Sequence, residues 1–127
     1  MDFSKYSILV VDDQTGVRRL LQETFREEGY NVDTAKEGAE ALVKIKESPP
    51  SLVLLDMKMP GMNGLETLHQ IIKDNPAQVV IMMTAYEELE VVQEARKLGV
   101  KDYITKPFDL NYLKELIKSI LCKTPKG

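Results

Sequence analysis

Three short segments of the chain are almost continuously apolar, and they limit the possible folds more than any other feature. They are Ile8–Val11, Leu52–Leu55 and Val79–Met83. Strands that are buried on both faces have continuous apolar sequences of this kind, as in a parallel sheet with helices above and below it. Two segments of mixed polarity, at 32–35 and 102–105, fit strands at the edges of the same sheet.

Between these segments the apolar residues recur at the three- and four-residue spacing of an α-helix. Gly29 and Gly99 are typical helix stops, and Asn63 is a predicted N-cap of the third helix. The alternation predicts an α/β fold, (βα)5, with a doubly wound five-stranded parallel sheet. The residues that mark the five helices are Val17, Leu20, Leu21 and Phe25; Ala41, Leu42 and Ile45; Leu65, Leu68 and Ile72; Leu89, Val92, Ala95 and Leu98; and Leu110, Leu113, Leu116, Ile117, Ile120 and Leu121.

Length and charge narrow the class of protein. We expect one domain over residues 1–127, with a core at about 7–121, a frayed tail at 122–127 and no output domain. The net charge is -3, and the chain lacks the clustered Lys and Arg residues that form the basic face of proteins that bind nucleic acid. The single cysteine, Cys122, allows no internal disulfide and suits a reducing compartment. With no secretory signal and no long apolar run, we expect a cytoplasmic protein with no membrane partner.

Polar side chains stand at the carboxyl ends of four predicted strands. The first strand is predicted to end in Asp12 and Asp13, the third in Asp56, the fourth in Thr84 and the fifth near Lys106. In open parallel sheets these ends meet at one edge, where ligands bind. Each residue alone has an ordinary explanation, such as a cap of the first helix or a solvated lysine. Their convergence at one edge favours a functional site.

The chemistry of this group indicates a hard divalent cation. Carboxylates crowded into one cleft raise each other's pKa, and a cation relieves the repulsion. The available ligands are all oxygens, which favours Mg²⁺ over zinc. An aspartate is an established nucleophile toward phosphorus, and a metal, a lysine and a hydroxyl can stabilise the transferred group. The residues therefore predict that Asp56 is a phosphate acceptor assisted by Thr84 and Lys106.

The segments VVDDQ, LLDMKMPGMNG, MTAY and YITKPF resemble, in order and separation, the motifs of response-regulator receiver domains. The resemblance covers about Ile8 to Leu121. It implies a flavodoxin-like strand order, 2-1-3-4-5. It also implies a Mg²⁺-dependent transfer of phosphate from the phosphohistidine of a sensor histidine kinase to Asp56. A receiver is not an enzyme in the ordinary sense, because it assists its own phosphorylation and dephosphorylation.

The same resemblance assigns roles by position. It implies that Asp12, Asp13, Asp56 and the backbone carbonyl of Lys58 hold the metal. It further implies that Thr84 is the switch hydroxyl, that Tyr103 is the aromatic switch residue, and that the Lys106–Pro107 peptide bond is cis.

Three longer stretches, VDDQTGVRRLLQE, LLDMKMPGM and MTAYEELE, resemble single-domain regulators of Bacillus-type sporulation phosphorelays. This implies transfer onward to a histidine phosphotransferase, with an aspartyl-phosphate phosphatase as a further partner. Tyr103 departs from that class, and nitrogen-regulator receivers share MTAY and TKPF. The alternative is a chemotaxis-type or nitrogen-regulator-type receiver that signals by phosphorylation-dependent protein binding.

Two hypotheses come from other classes of protein. A Mg²⁺-dependent phosphatase with an aspartyl intermediate usually has a second acid two residues after its nucleophile, where this chain has Lys58. A module that is never phosphorylated would not need the complete set of acids, hydroxyl and lysine.

The first predicted helix begins next to the acids, so its opening turn is expected to border the site. Leu21 and Phe25, four residues apart, are its predicted buried stripe. Val17 and Leu20 either join a wide core face or form an exposed apolar patch. An exposed patch suits a helical-bundle partner that presents a histidine, because the reacting groups must be aligned. The candidate partner surface comprises Gln14, Gly16, Val17, Leu20, Tyr86, Pro107 and Phe108.

Overall fold

The computed structural model describes residues 3–58, 64–85 and 89–122. Strands and helices alternate along them, and the predicted α/β class is confirmed. Asn63 and Tyr86 lie outside the described residues. The elements are β1 (Ser7–Val11), α1 (Thr15–Glu27), β2 (Asn31–Ala35), α2 (Gly38–Glu47), β3 (Leu52–Asp56), α3 (Gly64–Asp74), β4 (Val80–Ala85), α4 (Leu89–Leu98), β5 (Asp102–Lys106) and α5 (Leu110–Leu121).

In the part of the chain that the structure describes, five parallel strands form one sheet in the order β2-β1-β3-β4-β5. The order agrees with that implied by the resemblance. In the centre, Val10 of β1 aligns with Thr34 of β2 and Leu54 of β3. The two strands of mixed polarity, β2 and β5, lie at the edges, as predicted. Because all the pairings are parallel, the carboxyl ends of the strands meet at one edge of the sheet.

The core is divided by the sheet into two layers. Leu9 and Val11 of β1 face one layer, which is completed by α2, α3 and α4. Ile8 and Val10 face the other, which is completed by α1 and α5. This division follows from the two-residue period of a strand, which sends successive side chains to opposite faces. It also explains why the central strands are apolar at every position.

Three strands extend further than their apolar runs. β4 begins at Val80 and continues through Thr84 to Ala85, β5 ends at Lys106, and β3 ends at Asp56. The predicted ends of β3 at Asp56 and of β5 near Lys106 are confirmed, whereas β4 runs one residue past its predicted end at Thr84. A polar side chain ends an apolar run without ending the backbone pairing. Asp56, Thr84 and Lys106 are therefore held within the sheet, and their positions are set by it.

The outer edge of β2 is covered at Thr34 by side chains from its own surroundings. The Thr34 amide donates to Asp33 Oδ1 at 2.8 Å. The Thr34 carbonyl accepts a hydrogen bond from Lys44 Nζ. Lys44 lies on α2 and also pairs with Asp33, at 3.1 Å between Nζ and Oδ1. One residue of the edge strand thus has both of its backbone polar groups satisfied without a further strand.

Two helices end as predicted, at glycines. Gly29 and Gly99 both have φ of 107°, in the left-handed region that other residues avoid.

Among the described residues, every helix is too short or too polar to cross a bilayer.

Candidate functional site

Three carboxylates meet at the carboxyl edge of the sheet. One oxygen from each of Asp12, Asp13 and Asp56 lies within 4.8 Å of the other two. Lys106 Nζ reaches the same group, at 2.9 Å from Asp12 Oδ2 and 3.5 Å from Asp56 Oδ1. Thr84 is buried on β4, next to the residue that pairs with Asp56. The structure therefore brings these five predicted residues to one end of the sheet.

Asp12 is fully buried, and each of its polar atoms is bonded. Its amide donates to Ala35 O at 3.1 Å, and its carbonyl accepts from Arg18 Nη1 at 2.6 Å. Its Oδ1 accepts from the Gln14 amide at 2.9 Å, while Oδ2 pairs with Lys106. The N-cap of α1 is Gln14, so Asp12 fixes the approach to the helix and does not cap it.

Asp56 is a buried carboxylate with few partners. It is only 3% exposed, and its Oδ1 accepts from the Lys58 amide at 3.2 Å. Burial raises the pKa of Asp56 from 3.8 to about 6, and the charge of Asp12 adds to the shift. The hydrogen bond from Lys58 and the charge of Lys106 act in the opposite direction. At neutral pH the group is therefore ionised but poorly solvated, as a nucleophile requires.

Lys106 supplies the positive charge that faces both buried acids. Burial alone would lower its pKa, but the hydrogen bond to Asp12 and the charge of Asp56 outweigh burial and raise it. Lys106 is therefore an ammonium ion at neutral pH. The peptide bond that follows it, to Pro107, is cis, as the resemblance implied.

The acidic cluster fits a hard divalent cation. All of its donors are carboxylate oxygens, two of the three residues are buried, and Asp13 is exposed toward solvent. One lysine balances only part of the charge of three carboxylates. Asp12, Asp13 and Asp56 are therefore the residues that could hold a metal. The Lys58 carbonyl remains a ligand implied by the resemblance alone.

Two residues that shape the site were missed by sequence reasoning. Arg18 on α1 bonds the backbone of Asp12, although its place in a polar helix face gave no sign of this. Gly64 begins α3, and a Cβ there would lie 2.3 Å from Met57 Cα and 3.0 Å from Asp56 O. A glycine at the start of a helix, where other residues are more stable, was the available signal for this contact.

The candidate partner surface is only partly exposed. Leu21 and Phe25 are buried, as predicted, whereas Leu20 is 46% exposed, so the wide core face is wrong for Leu20. Val17 and Phe108 are partly buried against the α1–α5 layer, which limits what they offer to a partner. The exposed members among the described residues are Gln14, Gly16, Leu20 and Pro107.

Tyr103 lies on the edge strand β5 beside α4. Its ring is partly buried against the core layer, and Arg96 Cζ is 5.4 Å from the ring centroid. This is a cation–π contact at the outer side of the sheet.

Residues 8–118 match the model of the response regulator receiver domain family, and the chain belongs to this family. It is 45% identical over 114 residues to sporulation initiation phosphotransferase F of Bacillus subtilis, covering 90% of this chain and 92% of that protein. It is 41% identical over 120 residues to the transcriptional regulatory protein ZraR of Salmonella typhimurium, covering 94% of this chain but 27% of ZraR.

A similar solved structure is a CheY-like receiver domain protein from Methanospirillum hungatei. The TM-score is 0.89 at 36% identity, with 93% of this chain and 94% of that chain covered. Receiver domains are phosphoacceptors with autophosphatase activity, and they generally bind Mg²⁺ at an acidic pocket. In this chain, Asp12, Asp13 and Asp56 form an acidic cluster of that kind.

Replacing Asp56 by Asn is expected to stabilise the metal-free protein. The pKa of Asp56 is higher in the folded than in the unfolded state, so folding binds the proton more tightly. Wild-type stability should therefore fall as pH rises from 3.8 to about 6 and stay low above that. Asp56→Asn lacks this loss and should be more stable at pH 8 by about 1–3 kcal/mol. Urea unfolding in EDTA, followed by circular dichroism, measures the difference, and equal stabilities at pH 8 would contradict it.

Gly64→Ala is expected to destabilise the protein and to displace Asp56. The added Cβ meets the backbone of Met57, which cannot move aside as a flexible side chain would. Overpacking of this kind costs about 1–3 kcal/mol. Gly16→Ala is the matched control, because a Cβ at Gly16 meets nothing within 4 Å. The control should gain about 0.5–1 kcal/mol from a better helix former. Urea unfolding of both variants compares them, and a Gly64→Ala variant as stable as wild type would refute the close approach.

Proposed function

We propose that this chain accepts a phosphoryl group on Asp56 from the phosphohistidine of a sensor histidine kinase and passes it to a histidine phosphotransferase. The observation that carries the proposal is the buried Asp56 carboxylate, which lies beside Lys106 and within the cluster of Asp12 and Asp13. A carboxylate in these surroundings is ionised, shielded from water and faced by a fixed cation.

In the transfer, an Asp56 oxygen forms a bond to phosphorus while the phosphorus–nitrogen bond to the donor imidazole breaks. The imidazole leaves with the electron pair of that bond. Mg²⁺ held by Asp12, Asp13, Asp56 and the Lys58 carbonyl would neutralise charge on the phosphoryl oxygens. Lys106 would provide a second positive contact to the phosphoryl group, since its Nζ lies 3.5 Å from Asp56 Oδ1.

The switch is proposed to involve Thr84 and Tyr103. Thr84 of β4 pairs with Thr105 of β5, and Thr105 lies two residues after Tyr103 on the same strand. When the Thr84 hydroxyl turns to the phosphoryl group, space opens for the Tyr103 ring to move inward. The ring would then leave its contact with Arg96, so phosphorylation would shift a population between two arrangements.

We further propose that the relay serves sporulation. The support is the extended likeness to a relative that carries sporulation initiation in its name. A chemotaxis-type or nitrogen-regulator-type receiver is the second candidate, and it is favoured by Tyr103 and by the shared segments MTAY and TKPF. Phosphotransfer profiling against candidate kinases and phosphotransferases separates the two.

Acetyl phosphate with Mg²⁺ is expected to add one phosphoryl group to the chain, on Asp56. Intact-mass analysis detects the gain, and EDTA should prevent it. Asp56→Asn should abolish the gain, because the amide is not a nucleophile toward phosphorus. Undiminished labelling of the variant would show that another residue is the acceptor.

Leu20→Glu is expected to reduce transfer from a phosphorylated histidine protein by about tenfold or more, as loss of a central contact does. Labelling by acetyl phosphate should survive, because that donor needs no docking surface. Gly16 lies four residues before Leu20, on the same helix face. Gly16→Ala fills the space above this face and should also slow protein-to-protein transfer, although it stabilises the fold.

The matched control is Val43→Glu on α2, where an apolar side chain that is 57% exposed receives the same charge. It should leave both phosphodonors effective. Equal loss of both reactions in Leu20→Glu would place Leu20 in the fold or the site, and equal retention would exclude it from docking.

A further inference from the structure

Asp13 is the least constrained member of the acidic cluster. Its side chain is exposed and, within the described parts of the chain, makes no hydrogen bond or ion pair. Asp12 and Asp56 are buried and are held by Gln14, Lys106 and Lys58. The place of the Asp13 carboxylate in the cluster therefore depends on the backbone that carries it.

Arg18 holds that backbone. Its Nη1 donates at 2.6 Å to the Asp12 carbonyl, which belongs to the peptide group joining Asp12 to Asp13. Its Nη2 donates at 3.1 Å to Thr15 Oγ1 in the first turn of α1. The guanidinium is a rigid planar fork, so the two bonds together fix the angle between this peptide group and the helix.

General stabilisation of α1 does not account for an arginine at this place. Arg18 is the fourth residue of the helix, and a positive charge near a helix N-terminus is unfavourable. A positive charge beside the acids also opposes the binding of a second cation there. Attraction between the guanidinium and the acids can stabilise the metal-free fold, but it opposes metal binding. A favourable effect of Arg18 on the metal site therefore has to come from its two hydrogen bonds.

We propose that Arg18 is a positioning residue for Asp13, which it holds in the orientation needed to bind a divalent cation. The inference rests on the proposed metal site and adds to it a residue outside the ligand set. Mg²⁺ requires nearly ideal octahedral geometry, so a small rotation of the Asp12–Asp13 peptide group weakens the site. Groups that orient metal ligands commonly change metal affinity by about 10- to 100-fold.

The sign of the change in Mg²⁺ affinity tests the proposal. Arg18→Met removes the hydrogen bonds and the charge while keeping much of the side-chain volume. Loss of positioning predicts Mg²⁺ binding that is about tenfold weaker. Loss of charge alone predicts equal or tighter binding, because a competing cation has gone. Isothermal titration calorimetry with MgCl2 on the full chain gives the dissociation constant, and unchanged or tighter binding would overturn the proposal.

Arg19→Met is the matched control. Arg19 is the exposed neighbour of Arg18, and within the described residues it makes no hydrogen bond or ion pair. It removes the same charge and should leave the Mg²⁺ affinity equal to that of wild type or slightly tighter. Equal weakening in both arginine variants would count against positioning.

Arg18→Lys keeps the charge and one donor but lacks the planar fork, so its affinity should lie between those of wild type and Arg18→Met. Thermal unfolding in EDTA shows whether each variant is folded. If Arg18→Met is unfolded, a folded Arg18→Lys with wild-type Mg²⁺ affinity would overturn the proposal. A wild-type chain that fails to bind Mg²⁺ would instead reject the metal site itself.

Discussion

The ion pair between Lys106 and Asp12 joins two strands that are not neighbours. Lys106 stands on β5, at one edge of the sheet, and Asp12 follows β1, with β3 and β4 between them. The pair therefore spans the carboxyl edge of the sheet, and Lys106 Nζ also lies 3.5 Å from Asp56 Oδ1. Without this cation, three carboxylates would share a poorly solvated space, and mutual repulsion would favour protonation or local opening. Lys106 compensates this repulsion only in part, because one positive charge faces three carboxylates, and the remaining negative charge favours a second cation.

The incomplete compensation of charge at the site also affects the stability of the fold. A carboxylate whose pKa is raised to about 6 by burial is a destabilising feature at neutral pH, and the fold has to offset it elsewhere. The offset comes from the two apolar layers, in which the residues of β1 and β3 are buried on both faces of the sheet. A rigid central sheet can hold a poorly solvated carboxylate at the end of a strand, whereas a loop would change its conformation and let water reach the carboxylate.

Much of the fold could be predicted because it is local. The apolar runs of β1 and β3, and the glycines at 29 and 99, each carry their own signal. The convergence of Asp12, Asp56 and Lys106 could also be predicted, since parallel strands must end at one edge. The contact of Arg18 could not, because it depends on a distance of a few ångströms that periodicity does not set. The close approach at Gly64 had only an indirect signal, a glycine at the start of a helix. The partner surface could be predicted only in part. The helical period distinguished Leu20 from the buried Leu21, but it could not show that Val17 packs against the core.

The covered edge of β2 limits how the molecule can associate. A free strand edge is a template for another strand, from a second copy or from an unfolded chain, and such pairing leads to polymers. Here Asp33 and Lys44 occupy the amide and carbonyl of Thr34, so a strand arriving from that side would have to displace a charged pair before it gained a hydrogen bond. Contacts between side chains are less affected, because they need neither backbone group of Thr34. The covered position at Thr34 thus disfavours polymers that would grow by strand addition at this point of β2.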